Sequence, residues 1–135
     1  MRRQIRIPVR VYYQDTDAGG VVFHAQYLAF MERARTELLN EAGLDLARLA
    51  EERELQFMVS SIGVKYHRSA RLNELVSASA EVVKIGRASI VFHQKIERSG
   101  ELLVEAEVTL AVVDRRRMKP ARMPIELEQA LNEAE

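Results

Sequence analysis

Residues 15–43, DTDAGGVVFHAQYLAFMERARTELLNEAG, pass from two carboxylates and a glycine pair through an apolar run into a helix. From about His24 the residues Tyr27, Met31, Ala34, Leu38 and Ala42 recur on one stripe of a 3.6-residue period. Glu32, Arg33, Arg35, Glu37 and Glu41 fall elsewhere, free to face solvent or a second chain, and Glu32 with Arg35 at (i, i+3) reads as a surface ion pair. Gly43 supplies the stop. Leu28, Phe30 and Leu39 widen the apolar face past half the circumference. A helix so apolar needs cover on several sides, which predicts a sheet curved around it.

Working outward, Ile5, Ile7, Val9, Val11 and Tyr13 alternate with Arg6, Arg10 and Tyr12, the pattern of a strand with one buried face. Pro8 places that strand at an edge or at a bulge. After the long helix, residues 44–53 read as a short second helix. Strands then follow over 57–67, 75–85, 88–98 and 102–114, with Gly86 and Ser99-Gly100 as turn signals. The segment RRRMKPARMP, 115–124, reads as a basic loop and 125–134 as a terminal helix. One long helix followed by consecutive antiparallel strands is an α+β pattern, and neither repeat nor linker divides residues 1–135 into more than one domain.

Twenty basic and twenty acidic residues cancel, so no global field recruits nucleic acid or an anionic membrane. The absence of cysteine removes disulfides, thiolate nucleophiles and Cys-ligated zinc together. The start, MRRQIRIPVRV, has no apolar core of a signal peptide, and no apolar run is long enough for a bilayer. A cytoplasmic protein without a transmembrane segment is the expectation.

Arg10-Val11, Thr16-Asp17, Gly20-Val21-Val22, His24 and Tyr27, at this spacing, resemble the active-site signature of the 4-hydroxybenzoyl-CoA thioesterase family of hotdog-fold proteins. More closely, VYYQDTDAGGVVFHAQYLAFMERARTELL (11–39) and MKPARMP (118–124) are similar to the Tol–Pal-associated acyl-CoA thioesterase group. The resemblance runs from the first strand to the loop after Asp114. It implies a hotdog fold, an antiparallel sheet wrapped around one long helix, and hydrolysis of acyl-CoA to free acid and coenzyme A without a cofactor. It also implies a homodimer or homotetramer with its sites at subunit interfaces, and it matches Arg87, in KIGRASIVF, to a coenzyme-contacting position.

The chemistry of the stretch fits that reading. A helix beginning near Phe23 or His24 presents unpaired N–H groups that can hold a thioester oxygen as it gains charge. Gly19 and Gly20 let the chain turn sharply against a ligand. Asp17 then attacks the carbonyl as a nucleophile, or orients and deprotonates water as a base. Asp15 reads instead as a turn or cap residue. For His24 the family position leaves open whether the imidazole or the backbone N–H contributes, and Tyr27 is either core or substrate wall. Arg68 and Arg71 are further phosphate contacts by charge alone, while Met31, Phe57 and Met58 are candidates for an acyl pocket.

Rival readings fail on context. The aspartate phosphatases of the haloacid-dehalogenase type share an Asp-x-Asp after a strand but need a parallel, doubly wound sheet. Asp15, Asp17 and His24 lack a further cluster of metal ligands, so no metal is assigned. Hotdog dehydratases have a proline-rich helix entry, whereas no proline lies between Pro8 and Pro120. The RRRMK run lacks the interleaved aromatics of a nucleic-acid site. From another class, the alternative is a non-catalytic subunit that binds acyl-CoA or acyl carrier protein within an envelope or lipid-synthesis complex. Exposed sheet edges, together with apolar surface on the outward side of the helix, predict self-association.

Overall fold

Every period-two segment becomes a strand of one antiparallel sheet in the computed structural model, which describes residues 2–132. In chain order the elements are β1 (Gln4–Arg10), a 3-10 turn (Tyr13–Asp15), α1 (Gln26–Glu41), α2 (Leu46–Glu52), β2 (Leu55–Tyr66), β3 (Leu75–Ile85), β4 (Ser89–Arg98), β5 (Glu101–Asp114), β6 (Lys119–Pro120) and α3 (Ile125–Asn132). The five long strands lie in the order β1-β3-β4-β5-β2, which leaves β1, with Pro8, at one edge and β2 at the other. The α3 expectation extended to Ala134, which lies outside the described residues.

Three register shifts, at Val59/Ser61, Val82/Lys84 and Ile96/Glu97, bend the sheet. Its concave face carries Val76, Ala78, Ala80 and Val82 from β3, Ile90, Phe92 and Ile96 from β4, and Val104, Val108 and Val112 from β5, all buried. Against this face lies α1, packed on β3, β1 and β4. Ala34 on the helix and Ala78 and Ala80 below it are wholly buried, and their small side chains allow a close approach. Phe30, Met31 and Leu38 fill the remaining space at 0–1% exposure, each contributing about 1.5–3 kcal/mol by leaving water. The helix ends as expected: Gly43, at φ 84°, donates to Asn40, and Leu44 donates to Leu39, a Schellman closure.

Four local readings need correction. The helix begins at Gln26 rather than near Phe23 or His24, although its N-cap, Ala25, already has helical dihedrals. The basic loop 115–124 folds back to form β6, which pairs with the end of β5. Exposed apolar side chains gather along β2, where Met58, Val59, Ile62 and Tyr66 are 38–48% exposed, and not on the outward side of α1. Finally, Arg35 makes no ion pair with Glu32. It turns inward, 7% exposed, and its Nη1 donates to Gln94 Oε1 at 2.8 Å.

Gln94 occupies an inward position of β4 where alternation calls for an apolar residue, and it is completely buried. Its amide donates to the carbonyls of Met31 (2.9 Å) and Ser79 (3.1 Å), so one side chain ties α1 to β3 while receiving Arg35. Desolvation holds the Arg35 guanidinium below its ordinary pKa, as expected for a charge with no buried carboxylate beside it. Truncating Gln94 to Ala leaves that charge without its acceptor and removes the side-chain donor to the Met31 and Ser79 carbonyls. Chemical denaturation is expected to show a loss of about 3–5 kcal/mol. The double change Arg35→Met with Gln94→Leu should recover most of it. A Gln94→Ala loss below 1 kcal/mol would mean that Arg35 swings to water at little cost.

Candidate active site

Asp15 and Asp17, one residue apart, have opposite environments. Asp15 is 2% exposed, and its Oδ2 accepts the Tyr12 N–H at 2.8 Å while Oδ1 accepts the Gln26 side-chain amide at 2.9 Å. Its backbone oxygen takes the Phe23 N–H at 3.0 Å. Asp15 therefore pins the turn after β1 to the entry of α1. Asp17 is exposed, and its Oδ1 accepts the Gly19 N–H at 2.7 Å. Its Oδ2 has no hydrogen-bond partner among the described residues.

The turn carrying Asp17 is closed by the Thr16–Val22 bridge, with Asp17 N–H donating to Val21 at 2.9 Å. Gly20 has φ 81°, a conformation that disfavours a side chain, and a Cβ on Gly19 would sit 3.2 Å from Asp17 Oδ1. The glycine pair thus sets the direction of the carboxylate. Val22 N–H donates to Ala70 and Val21 bridges Arg71, which seats the turn on the β2–β3 connection.

Beyond the bridge come Phe23, His24 and Ala25, all exposed. No side chain caps α1. Gln26 N–H donates to Phe23 and Leu28 N–H to Ala25, while the N–H groups of His24 and Ala25 have no acceptor among the described residues. Two free donors at the positive end of a 16-residue helix therefore stand two and three residues past the bridge that holds Asp17. Such donors suit a developing oxyanion.

Tyr27 is 2% exposed, with its hydroxyl accepting the Ala70 N–H at 2.8 Å. Of the two readings the sequence leaves open, the geometry matches core, and burial raises the phenol pKa. Sequence reading missed Tyr66, which ends β2 and donates through its hydroxyl to the His24 carbonyl at 2.9 Å. No local pattern pairs residues 42 positions apart.

Arg87 is exposed in the β3–β4 turn. It lines a cleft of about 290 Å³ with Arg122, Met123 and Glu128, so the fold brings beside it a second cation from the segment the sequence reads as a basic loop. Leu75, at the other end of β3, pairs with Arg10, just before the Asp17 turn. The rise along β3 separates Arg87 from the Asp17 end by roughly 35 Å. One chain does not bring these two together. Arg68, at the Asp17 end, is engaged by Glu101 at 2.9 Å. Met31 is core, Met58 is exposed on β2, and Phe57 borders an apolar cavity of about 150 Å³ with Leu46, Leu49, Leu55 and Leu127.

A curled antiparallel sheet around a central helix, with a carboxylate and free helix N–H groups at the helix entry, defines a protein of the hotdog thioesterase class. A profile of the Thioesterase superfamily matches residues 19–109, and the chain belongs to that family. It is 44% identical over 125 residues to the acyl-CoA thioesterase YbgC of Haemophilus influenzae, spanning 93% of this chain and 92% of that one. It is 46% identical over 120 residues to the acyl-CoA thioester hydrolase YbgC of Escherichia coli O6:H1, spanning 88% and 89%. Among solved structures, a probable thioesterase from Bartonella henselae superimposes with a TM-score of 0.85 at 33% identity, covering 90% of this chain and all of that one.

Proposed function

We propose that this chain hydrolyses acyl-CoA thioesters to a free acid and coenzyme A. The observation that carries the reading is the uncapped start of α1, where the His24 and Ala25 N–H groups stand free beside the turn presenting Asp17. The thioester oxygen sits on these N–H groups. Asp17 either adds to the carbonyl carbon, giving an acyl anhydride that water cleaves, or takes a proton from the water that adds. Collapse of the tetrahedral intermediate expels coenzyme A as a thiolate, a leaving group stable enough to need little acid assistance. YbgC relatives named as acyl-CoA thioesterases support the substrate class.

The free edge of β2, with its exposed Met58, Val59 and Ile62, supports pairing of two chains into a homodimer, and pairs of dimers into a homotetramer. Antiparallel pairing at that edge carries the Arg87 end of one chain toward the Asp17 end of the other. Arg87 then contacts the coenzyme phosphates across the interface. Acyl carrier protein, which carries its acyl group on the same pantetheine thioester, is a second donor. A cytoplasmic location fits this substrate, since coenzyme A thioesters are too highly charged to cross a bilayer and leave the compartment in which they are made. No helix among the described residues is long and apolar enough to cross a membrane.

Release of free thiol from a panel of acyl-CoAs of increasing chain length tests the reading. Turnover of at least one member is expected. Binding without turnover would favour the non-catalytic subunit instead. His24→Ala is expected to lower kcat about 10-fold, because the backbone N–H survives the substitution while the ring is lost. A loss as large as that of Asp17→Asn, with ligand still bound, would give the imidazole a direct chemical role.

A further inference from the structure

Tyr66 is half-exposed at the end of the edge strand β2, where packing does not require a phenol, yet its hydroxyl holds the His24 carbonyl oxygen at 2.9 Å. That oxygen accepts no backbone N–H among the described residues, because the first-turn bonds run from Gln26 to Phe23 and from Leu28 to Ala25 and pass it by. The His24–Ala25 peptide is trans, so its C=O and its N–H lie in one plane and point in opposite directions. Whatever anchors the oxygen therefore aims the Ala25 N–H.

We propose that Tyr66 is a positioning residue for the oxyanion donor, its hydroxyl fixing the plane of the His24–Ala25 peptide so that the Ala25 N–H meets the developing charge. The inference rests on the thioesterase reading given above. The entry to α1 has no side-chain cap, and the Gln26-to-Phe23 turn bond spans that peptide without engaging its C=O or its N–H, which leaves Tyr66 as the group that holds the oxygen directly. Donation into the carbonyl also polarises the amide and strengthens its N–H as a donor. The ring itself is held edge-on by its neighbours. The Tyr27 ring stands 5.9 Å away and the His24 ring 6.4 Å away, and Tyr27 is fixed in turn by the Ala70 N–H on its hydroxyl. The buried Tyr27 thus acts on the site through Tyr66.

Two variants test this with steady-state thiol release and thermal melting. Tyr66→Phe removes only the hydroxyl, and kcat is expected to fall about 10- to 30-fold with KM within about twofold, because the lost orientation matters most when the oxygen is charged. 3-Fluorotyrosine at position 66 keeps the shape and makes a stronger donor, so at neutral pH kcat is expected to rise by roughly twofold above wild type. A purely structural Tyr66 would move the melting temperature and leave kcat indifferent to fluorination. Unchanged kcat in Tyr66→Phe, an effect on KM alone, or a fluorotyrosine enzyme no faster than wild type would overturn the proposal. A wild-type chain that turns over no acyl-CoA would overturn the thioesterase reading itself, an outcome distinct from an active wild type with an equally active Tyr66→Phe variant.

Discussion

Asp17→Asn is expected to lower the rate of acyl-CoA hydrolysis by roughly three orders of magnitude, with little change in melting temperature or in coenzyme affinity. The amide is close to the carboxylate in shape, and its oxygen can still accept the Gly19 N–H that orients Asp17 at 2.7 Å. What it loses is the anion on an exposed side chain whose second oxygen has no hydrogen-bond partner among the described residues, the oxygen available for attack or for taking a proton. The contrast with its neighbour sharpens the test. In Asp15→Asn, the amide nitrogen must face either the Tyr12 N–H or the Gln26 amide, both donors to the native carboxylate. That variant is expected to lose about 1–3 kcal/mol of stability and to keep kcat within about 10-fold of wild type. Near-normal turnover in Asp17→Asn would sink the assigned mechanism. Equal catalytic losses at both positions would point to a paired-carboxylate site.

The two aspartates also show what a sequence carries and what it does not. Strands β3 and β4 were legible to within a residue, because alternation of buried and exposed side chains is a local signal written along each strand. The stop of α1 was legible for the same reason, since Gly43 permits a positive φ and ends the helix locally. Its start was not. The turn before Gln26 is held by Phe23 N–H on Asp15 and by Tyr66 on His24, bonds set by tertiary contacts rather than by a capping residue. Arg35 misled for a related reason. The nearby Glu32 offers a local partner, but the bond is made to Gln94, 59 residues away, and the resulting pair supplies polar satisfaction inside the core. Family resemblance separated Asp17 from Asp15 where composition and spacing left them alike. The fold gives the physical difference, one carboxylate consumed by the turn and the other left exposed.

At substrate concentrations well below KM, mixing inactive Asp17→Asn chains with Arg87→Glu chains under conditions of subunit exchange is expected to restore activity that neither shows alone. Arg87→Glu by itself should raise KM by about 10- to 100-fold, since it puts a carboxylate at the proposed phosphate contact. In the proposed dimer each site combines Asp17 of one chain with Arg87 of the other, an arrangement motivated by the separation of roughly 35 Å along a single β3. In a mixed dimer one site then carries both lesions and the other carries neither. Random exchange at equal amounts makes half of the dimers mixed, so the mixture should approach about a quarter of wild-type activity. The β2 edge gives an independent control. Val59→Lys and Ile62→Glu place charges on the exposed apolar stretch of that strand and should abolish both dimer formation and complementation. Demonstrated exchange without recovery would mean that Arg87 serves no shared site and is a surface charge. A chain that stays monomeric at working concentration and still hydrolyses acyl-CoA would remove the interface from the mechanism, leaving Asp17 and the free N–H groups of α1 to act within one chain.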